Sequence, residues 1–303
     1  MVRGWCRMAG RQGRRAGMAV RRGVILAAGF GTRFLPATKA IPKEMLPLLD
    51  RPVVQHIVEE AAAAGVRELV MVISPGKEAL AQHFARSPEL EQALHARGDG
   101  PKLEELERIA GMARIAFVYQ EGRLGTGHAL LQARWLLDGA AFALFYADDV
   151  VVADPPAIGQ LVEAHRRLDG PVLGLVEVAR EEVSRYGVVE GEPLGGDDFR
   201  VRSTVEKPEP DEAPSTLAVI GRMVLTPDIF PVLEETPPGR AGEVWLTDGL
   251  ARLCQRRPLY GRRLRGRWLD TGNPQGLLEA SLWLAARDPA LARRLKGYLQ
   301  GAG

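Results

Sequence analysis

The sequence predicts an α/β fold, a single domain with a mostly parallel central sheet flanked by helices. Three observations carry that prediction. Short apolar runs, Val24 to Ala28 and then Leu69 to Ile73, have the length of buried strands and are bounded by glycine, serine or proline. Between them lies an alanine-rich stretch, Val53 to Ala64, with Gly65 placed as a helix stop. Strand–helix–strand order argues for parallel neighbours. At 303 residues, 46% hydrophobic and 26% charged, the chain has material for one large core. No apolar run nears the roughly 18 residues of a membrane span.

The first strand runs into a glycine-rich turn. Gly29 and Gly31 can take positive φ and let backbone N–H groups approach an anion with no Cβ in the way. Arg33 and Lys43 bring fixed positive charge beside it, and cations in a buried loop call for an anionic partner. Strand, turn and cations read together as a phosphate-handling site. Two common phosphate motifs are excluded. A dinucleotide fingerprint needs a third glycine and an acid closing the second strand, whereas Asp50 precedes the first helix. The P-loop pattern Gly-x4-Gly-Lys-Ser/Thr is absent.

The formal charge of +2 is set by the amino terminus. Residues 1–17 hold Arg3, Arg7, Arg11, Arg14 and Arg15 and no acid, so Met18 onward carries a formal −3. A mildly acidic domain offers no case for nucleic-acid binding. The stretch lacks the apolar core of a secretory signal and the serines of a transit peptide. It is expected to be a disordered tail, or sequence upstream of a start at Met18, with 18–303 as the folded domain. Cys6 and Cys254 have no metal-ligand spacing, and the absence of a disulfide framework suits a reducing cytoplasm.

Lys77 to Phe84 is expected to be a helix, and residues 87–112, with Glu-Leu repeats at helical spacing, a helical excursion from the sheet. Ile115 to Tyr119 reads as the third strand. It feeds a glycine loop, Gln120 to Gly127, that opens a helix running through Leu137. Phe142 to Tyr146 is a strand ending at Ala147-Asp148-Asp149, where open parallel sheets place their ligands. Paired acids repel, so a cation partner is the economical explanation. Mg²⁺ favours one or two carboxylates together with phosphates and water. Pro155 to Leu168 reads as a helix, and Val172 to Val178 and Leu217 to Leu225 as strands. From Pro274 one amphipathic helix is expected to continue to about Tyr298.

The stretch Gly29-Phe30-Gly31-Thr32-Arg33, followed by Ala37-Thr38-Lys39-Ala40-Ile41-Pro42-Lys43-Glu44-Met45-Leu46-Pro47, resembles the signature of the sugar-1-phosphate nucleotidyltransferases. Its extended form is similar to their uridylyl branch, the bacterial UTP–glucose-1-phosphate uridylyltransferases. The resemblance implies a Rossmann-like nucleotidyltransferase domain with a small additional β region in the sugar-binding half. It implies nucleotide binding by Ala28, Gly29, Gly31, Gln120 and Gly125, with the Gln120 amide on a pyrimidine edge. Tyr186-Gly187-Val188-Val189 and Thr204-Val205-Glu206-Lys207-Pro208 match the family's sugar-pocket motifs. They imply Gly187 and Glu206 on the sugar and Lys207 on its phosphate. Asp148 is the implied ligand for Mg²⁺, joined by Asp270 in Trp268-Leu269-Asp270-Thr271-Gly272-Asn273. His128 stays outside the catalytic set. The helical excursion at 87–112 resembles a family insertion used for subunit contact, and a homo-oligomer, dimer or tetramer, is implied.

The reaction so implied joins UTP and α-D-glucose 1-phosphate. A phosphate oxygen of the sugar attacks the α-phosphorus, giving UDP-glucose and pyrophosphate. The nucleophile is already an anion, so no general base is required, and Arg33, Lys43 and Lys207 supply positioning and charge. Two other readings stay open. One is a thymidylyltransferase of the same fold, since Trp268-Leu269-Asp270-Thr271 looks more like that branch. The other is a non-catalytic nucleotide-sugar sensor, which should have lost Arg33, Lys43 or Asp148.

Overall fold

A computed structural model describes residues 20–122, 124–137, 139–239 and 242–301. The expected tail at 1–17 and the start at Met18 lie outside the described residues. The chain opens with β1 (Arg22–Leu26), passes the glycine turn in three short 3-10 turns, and forms a ribbon of β2 (Pro47–Leu48) and β3 (Arg51–Pro52). Then come α1 (Val53–Ala63), β4 (Glu68–Ile73), α2 (Ala79–Phe84), α3 (Pro88–Ala96), α4 (Gly100–Gly111) and β5 (Arg114–Tyr119). The middle holds α5 (Gly125–Gln132), β6 (Phe142–Tyr146), β7 (Asp149–Val152), α6 (Ala157–Leu168) and β8 (Val172–Glu177). The last part comprises β9 (Gly187–Gly195), β10 (Asp198–Glu206), β11 (Leu217–Leu225), α7 (Ile229–Glu234), α8 (Leu246–Arg256), β12 (Leu259–Arg263), β13 (Arg267–Asp270), α9 (Pro274–Ala285) and α10 (Pro289–Leu299).

Among the described residues nine strands form one sheet, in the order β5-β4-β1-β6-β11-β8-β12-β10-β9. The strands β5, β4, β1 and β6 are parallel. Beyond them β11 runs antiparallel to β6 and β8, and β10 antiparallel to β12 and β9. The expected parallel sheet is thus the amino-terminal half, and the additional β region continues it edge to edge.

Burial on both faces explains the unbroken apolar runs. In β1, Ile25 points into one core with Phe145, Met71 and Ile57, while Val24 and Leu26 point into the other with Leu144, Leu130 and Phe230. The helices α1 and α6 cover the first face, and α5, α7 and α8 the second. The connection from β1 through α1 leads to β4 on one side, whereas β6 joins β1 on the other. That reversal opens a crevice at the carboxyl ends of β1 and β6, where such sheets bind ligands. No helix among the described residues is long and apolar enough to cross a membrane.

Some expected boundaries are corrected. The single helix from Pro274 to about Tyr298 is two, α9 and α10. Asp288 accepts hydrogen bonds from Ala290 N and Leu291 N at 2.7 and 3.0 Å, and Pro289 occupies the first turn, so a new helix is capped there. The helix expected through Leu137 ends at Gln132, and Arg134–Leu136 is a separate 3-10 turn. Two helices start two residues later than expected, at Ala79 and Ala157.

Candidate active site

A cavity of about 1270 Å³ opens at the crevice. From the amino-terminal half it is lined by Ala28, Gly29, Arg33, Lys43, Gln120, Gly125 and Asp148. From the second half Gly187, Glu206, Lys207 and Asp270 face the same space. Gly31 does not line it. Its φ is +68°, and a Cβ there would stand 3.1 Å from Lys43 Cβ, so it lets the loop close over the lysine stem.

Lys43 forms an ion pair with Asp148. Burial works to lower the lysine pKa, but Asp148 and Glu44 outweigh it and the net direction is upward. Burial likewise opposes ionisation of Asp148, and Lys43 reverses that, holding the carboxyl below its usual range. Both groups are therefore charged at neutral pH. Behind them lies a second pair for which no sequence pattern is a signal. Lys77 Nζ donates to both oxygens of Glu44 at 2.7 and 2.8 Å and to Ala27 O at 2.6 Å. That pair is buried, and burial raises the Glu44 pKa and lowers that of Lys77, each opposed by its partner. It ties the end of β1 to the turn that carries Lys43.

Asp149 begins β7, and β7 pairs antiparallel with β13 so that Asp270 stands opposite Asp149. The carboxylate of Asp149 accepts Gly221 N at 2.6 Å and Trp268 Nε1 at 3.0 Å, which turns it away from the cavity's cations. Burial, with Asp148 beside it, pushes its pKa up to about 7. The Asp149 carbonyl accepts from Arg222 Nη2 at 2.6 Å. Arg222 is itself fully buried and paired with Glu60 through three hydrogen bonds of 2.9 to 3.1 Å. An arginine amid the apolar run Leu217–Leu225 was a legible anomaly, although its partner was not.

Asp270 accepts from Arg185 Nη2 at 2.8 Å and from Tyr186 Oη at 3.2 Å. Burial and then Asp270 push the Tyr186 hydroxyl pKa up, so it stays a donor. Asp148 and Asp270 converge on Gly272. A Cβ at Gly272 would stand 2.9 Å from Asp148 Oδ2 and 3.1 Å from Asp270 Oδ1. The glycine thus leaves open a gap between two carboxylates. Among the described residues no group of three or more His, Cys, Asp and Glu could hold a metal. Two oxygen ligands with room for phosphate and water suit a hard divalent cation, so the residues fit one. Arg33 Nη1 donates to Gly272 O at 3.4 Å, which sets the guanidinium beside the same gap.

At the far end of the amino-terminal half, Gln120 is buried, and its Nε2 donates to Gly125 O at 3.2 Å and lies 3.0 Å from His128 Nδ1. Burial lowers the His128 pKa, so it is neutral and accepts. His128 thus orients Gln120 and stays off the cavity wall. Gly125 has φ +93°, and a Cβ there would stand 2.5 Å from Val244 O. In the second half the β9–β10 hairpin sets Gly187 opposite Glu206, and a Cβ on Gly187 would meet Glu206 Oε2 at 3.2 Å. Lys207 follows with its ammonium 3.5 Å from Glu206 Oε1.

Residues 22–287 match the family described as nucleotidyl transferase. Among similar curated proteins is the UTP–glucose-1-phosphate uridylyltransferase YngB of Bacillus subtilis. It is 41% identical over 281 residues, covering 93% of this chain and 95% of that protein. A UDP-glucose pyrophosphorylase solved in complex with UDP-glucose superposes with a TM-score of 0.81 at 37% identity, over 89% of this chain and all of that one. A UTP-bound enzyme of the same kind from Acinetobacter baumannii gives a TM-score of 0.85 at 30% identity, over 93% of this chain and 99% of that one.

Proposed function

The chain belongs to the nucleotidyl transferase family, and on that premise we propose that it transfers the uridylyl group of UTP to α-D-glucose 1-phosphate, forming UDP-glucose and releasing pyrophosphate. The observation that carries the reading is the series of contacts along one cavity. It runs from Gln120 and the glycine loops, through Lys43, Asp148 and Asp270, to Tyr186, Glu206 and Lys207. Relatives named for this reaction align with nearly the whole chain, which supports the choice of substrates.

The sugar phosphate is an anion near neutral pH and needs no side chain to remove a proton. Lys207 holds that phosphate with its oxygen toward the α-phosphorus. Arg33 and Lys43 offset the charge on the transferred and departing phosphates, and the N–H groups of the Ala28–Gly29 turn cradle them. Gln120 has spent its nitrogen on Gly125 O and His128, so its Oε1 is left to accept from the N3–H of uracil. Glu206 accepts from sugar hydroxyls beside the Gly187 backbone. Asp148 and Asp270 would hold a divalent cation, Mg²⁺ in this reading, which when bound supplies Lewis-acid stabilisation of phosphate charge. A reaction fed by UTP suits the cytoplasm.

Lys207→Ala tests the sugar-phosphate end. A charge-assisted hydrogen bond is worth about 1.5–3 kcal/mol, so kcat/KM for glucose 1-phosphate should fall by about 10- to 100-fold. The KM for UTP should stay near its wild-type value in the same initial-rate experiment. Normal kinetics for the sugar phosphate would remove Lys207 from the site.

A panel of nucleoside triphosphates and sugar 1-phosphates, read by pyrophosphate release, tests the substrates. The highest kcat/KM is expected for UTP with α-D-glucose 1-phosphate. Uracil and thymine present the same edge to Gln120 and differ by one methyl, worth about 1–3 kcal/mol in a pocket. A tenfold preference for dTTP would make the enzyme a thymidylyltransferase. A homo-oligomer is the remaining expectation, and light scattering on eluting protein checks it.

A further inference from the structure

Trp245 precedes α8 and lines the cavity, and the mechanism above makes no use of it. Lys207 Nζ lies 4.8 Å from the centroid of its ring. At that distance the negative face of an indole attracts an ammonium. Lys207 has φ +46°, a left-handed conformation uncommon for a residue with a side chain, and its N–H donates to Tyr186 O at 3.0 Å. The stem therefore leaves the backbone in a set direction, and the head rests between the indole and Glu206.

The indole is anchored from the nucleotide side. Val244 N–H donates to Leu124 O at 2.7 Å, and Gly127 N–H donates to Val244 O at 2.9 Å. Leu246 N–H donates to Thr126 Oγ1 at 3.1 Å. On the sugar side, Thr204 Oγ1 donates to Thr247 O at 3.0 Å, which ties the same segment to β10, the strand ending in Glu206. Residues 244–247 thus form a strap from the loop beside Gln120 to the lysine.

We propose that Trp245 is a positioning residue whose indole holds the Lys207 ammonium in register with the nucleotide loop until the phosphate of the sugar substrate takes it. The proposal rests on the reading of Lys207 as the sugar-phosphate group. An indole suits the task because it can release the ammonium without leaving a charge of its own unpaired. A second carboxylate in its place, added to Glu206 at 3.5 Å, would compete more strongly with the phosphate. The strap makes the position of the lysine depend on the loop that reads the base, so the two substrates meet in a fixed relation.

Trp245→Leu keeps apolar bulk and removes the ring, and Trp245→Phe keeps a weaker ring. In Trp245→Leu, kcat/KM for glucose 1-phosphate should fall by about 2- to 30-fold, the span expected of a cation–π contact. Trp245→Phe should recover a large part of that loss, and the KM for UTP should stay near wild type in both. A Leu variant with wild-type kinetics for the sugar phosphate, alongside an impaired Lys207→Ala, would overturn the proposal and leave the site reading intact. A Phe variant as poor as Leu, or equal losses toward both substrates, would overturn it too, since the ring would then act only as packing. If Lys207→Ala is itself normal, the site reading fails first and this proposal with it.

Discussion

Asp148→Asn is expected to leave a folded protein with about a hundredth to a thousandth of wild-type turnover at saturating Mg²⁺. One oxygen of the carboxylate, Oδ2, meets Lys43 and also faces the gap at Gly272, with Asp270 across that gap. Asparagine keeps the shape and removes the charge. Losing one preorganised electrostatic contact to a transition state costs about 2.7–4 kcal/mol, which is that factor in rate. The fold should survive, because the loop is held through the Asp148 carbonyl, which accepts from Thr271 N at 3.0 Å and Thr271 Oγ1 at 2.7 Å. Circular dichroism and a titration of turnover against Mg²⁺ check the two halves of the statement. A folded variant with near-normal rate would remove Asp148 from the chemistry.

The second large effect falls on stability. Arg222→Met should destabilise the protein by about 3–5 kcal/mol, because removing one partner leaves the other charge buried and unpaired. Here Glu60 would lose three hydrogen bonds, and the carbonyls of Gly221 and Asp149 one each. The double variant Glu60→Leu/Arg222→Met should recover part of the loss, since a buried ion pair can be replaced by apolar side chains at little net cost. Urea unfolding of both variants measures this. A loss below about 1 kcal/mol in the single variant would place the pair in the class of exposed pairs such as Arg86–Glu107. The same variant should also weaken the enzyme, because Arg222 holds the Asp149 carbonyl one residue from Asp148.

These two predictions differ in how far the sequence alone could reach them. Asp148 was legible because its signals are local: an apolar strand, a paired acid at its end, and the glycine turn and cations that come before. The hairpin partners Gly187 and Glu206 were named by resemblance, yet their facing positions come from β9–β10 pairing. Glu60 was unreadable, since it sits in α1 among alanines and meets Arg222 162 positions away. The single carboxy-terminal helix was misread because amphipathic spacing continues through residues 286–288, while the capping by Asp288 and Pro289 breaks it.

The sequence by itself determined the α/β class, the buried apolar strands that contain Val24 and Phe142, the glycine-rich turn at Gly29 to Arg33, and the residue types that carry charge into it. Periodicity, turn chemistry and the conformational freedom of glycine are properties of a short window, and a short window suffices to read them. Tertiary structure decided which of those charges meet. Trp268 reaches Asp149 across 119 positions because β13 lies against β7, and that pairing alone brings Asp270 to the gap that Asp148 faces. Strands choose distant partners by burying both faces of the sheet at once, a condition set by the whole chain, so the site is an outcome of the packing that completes the two cores.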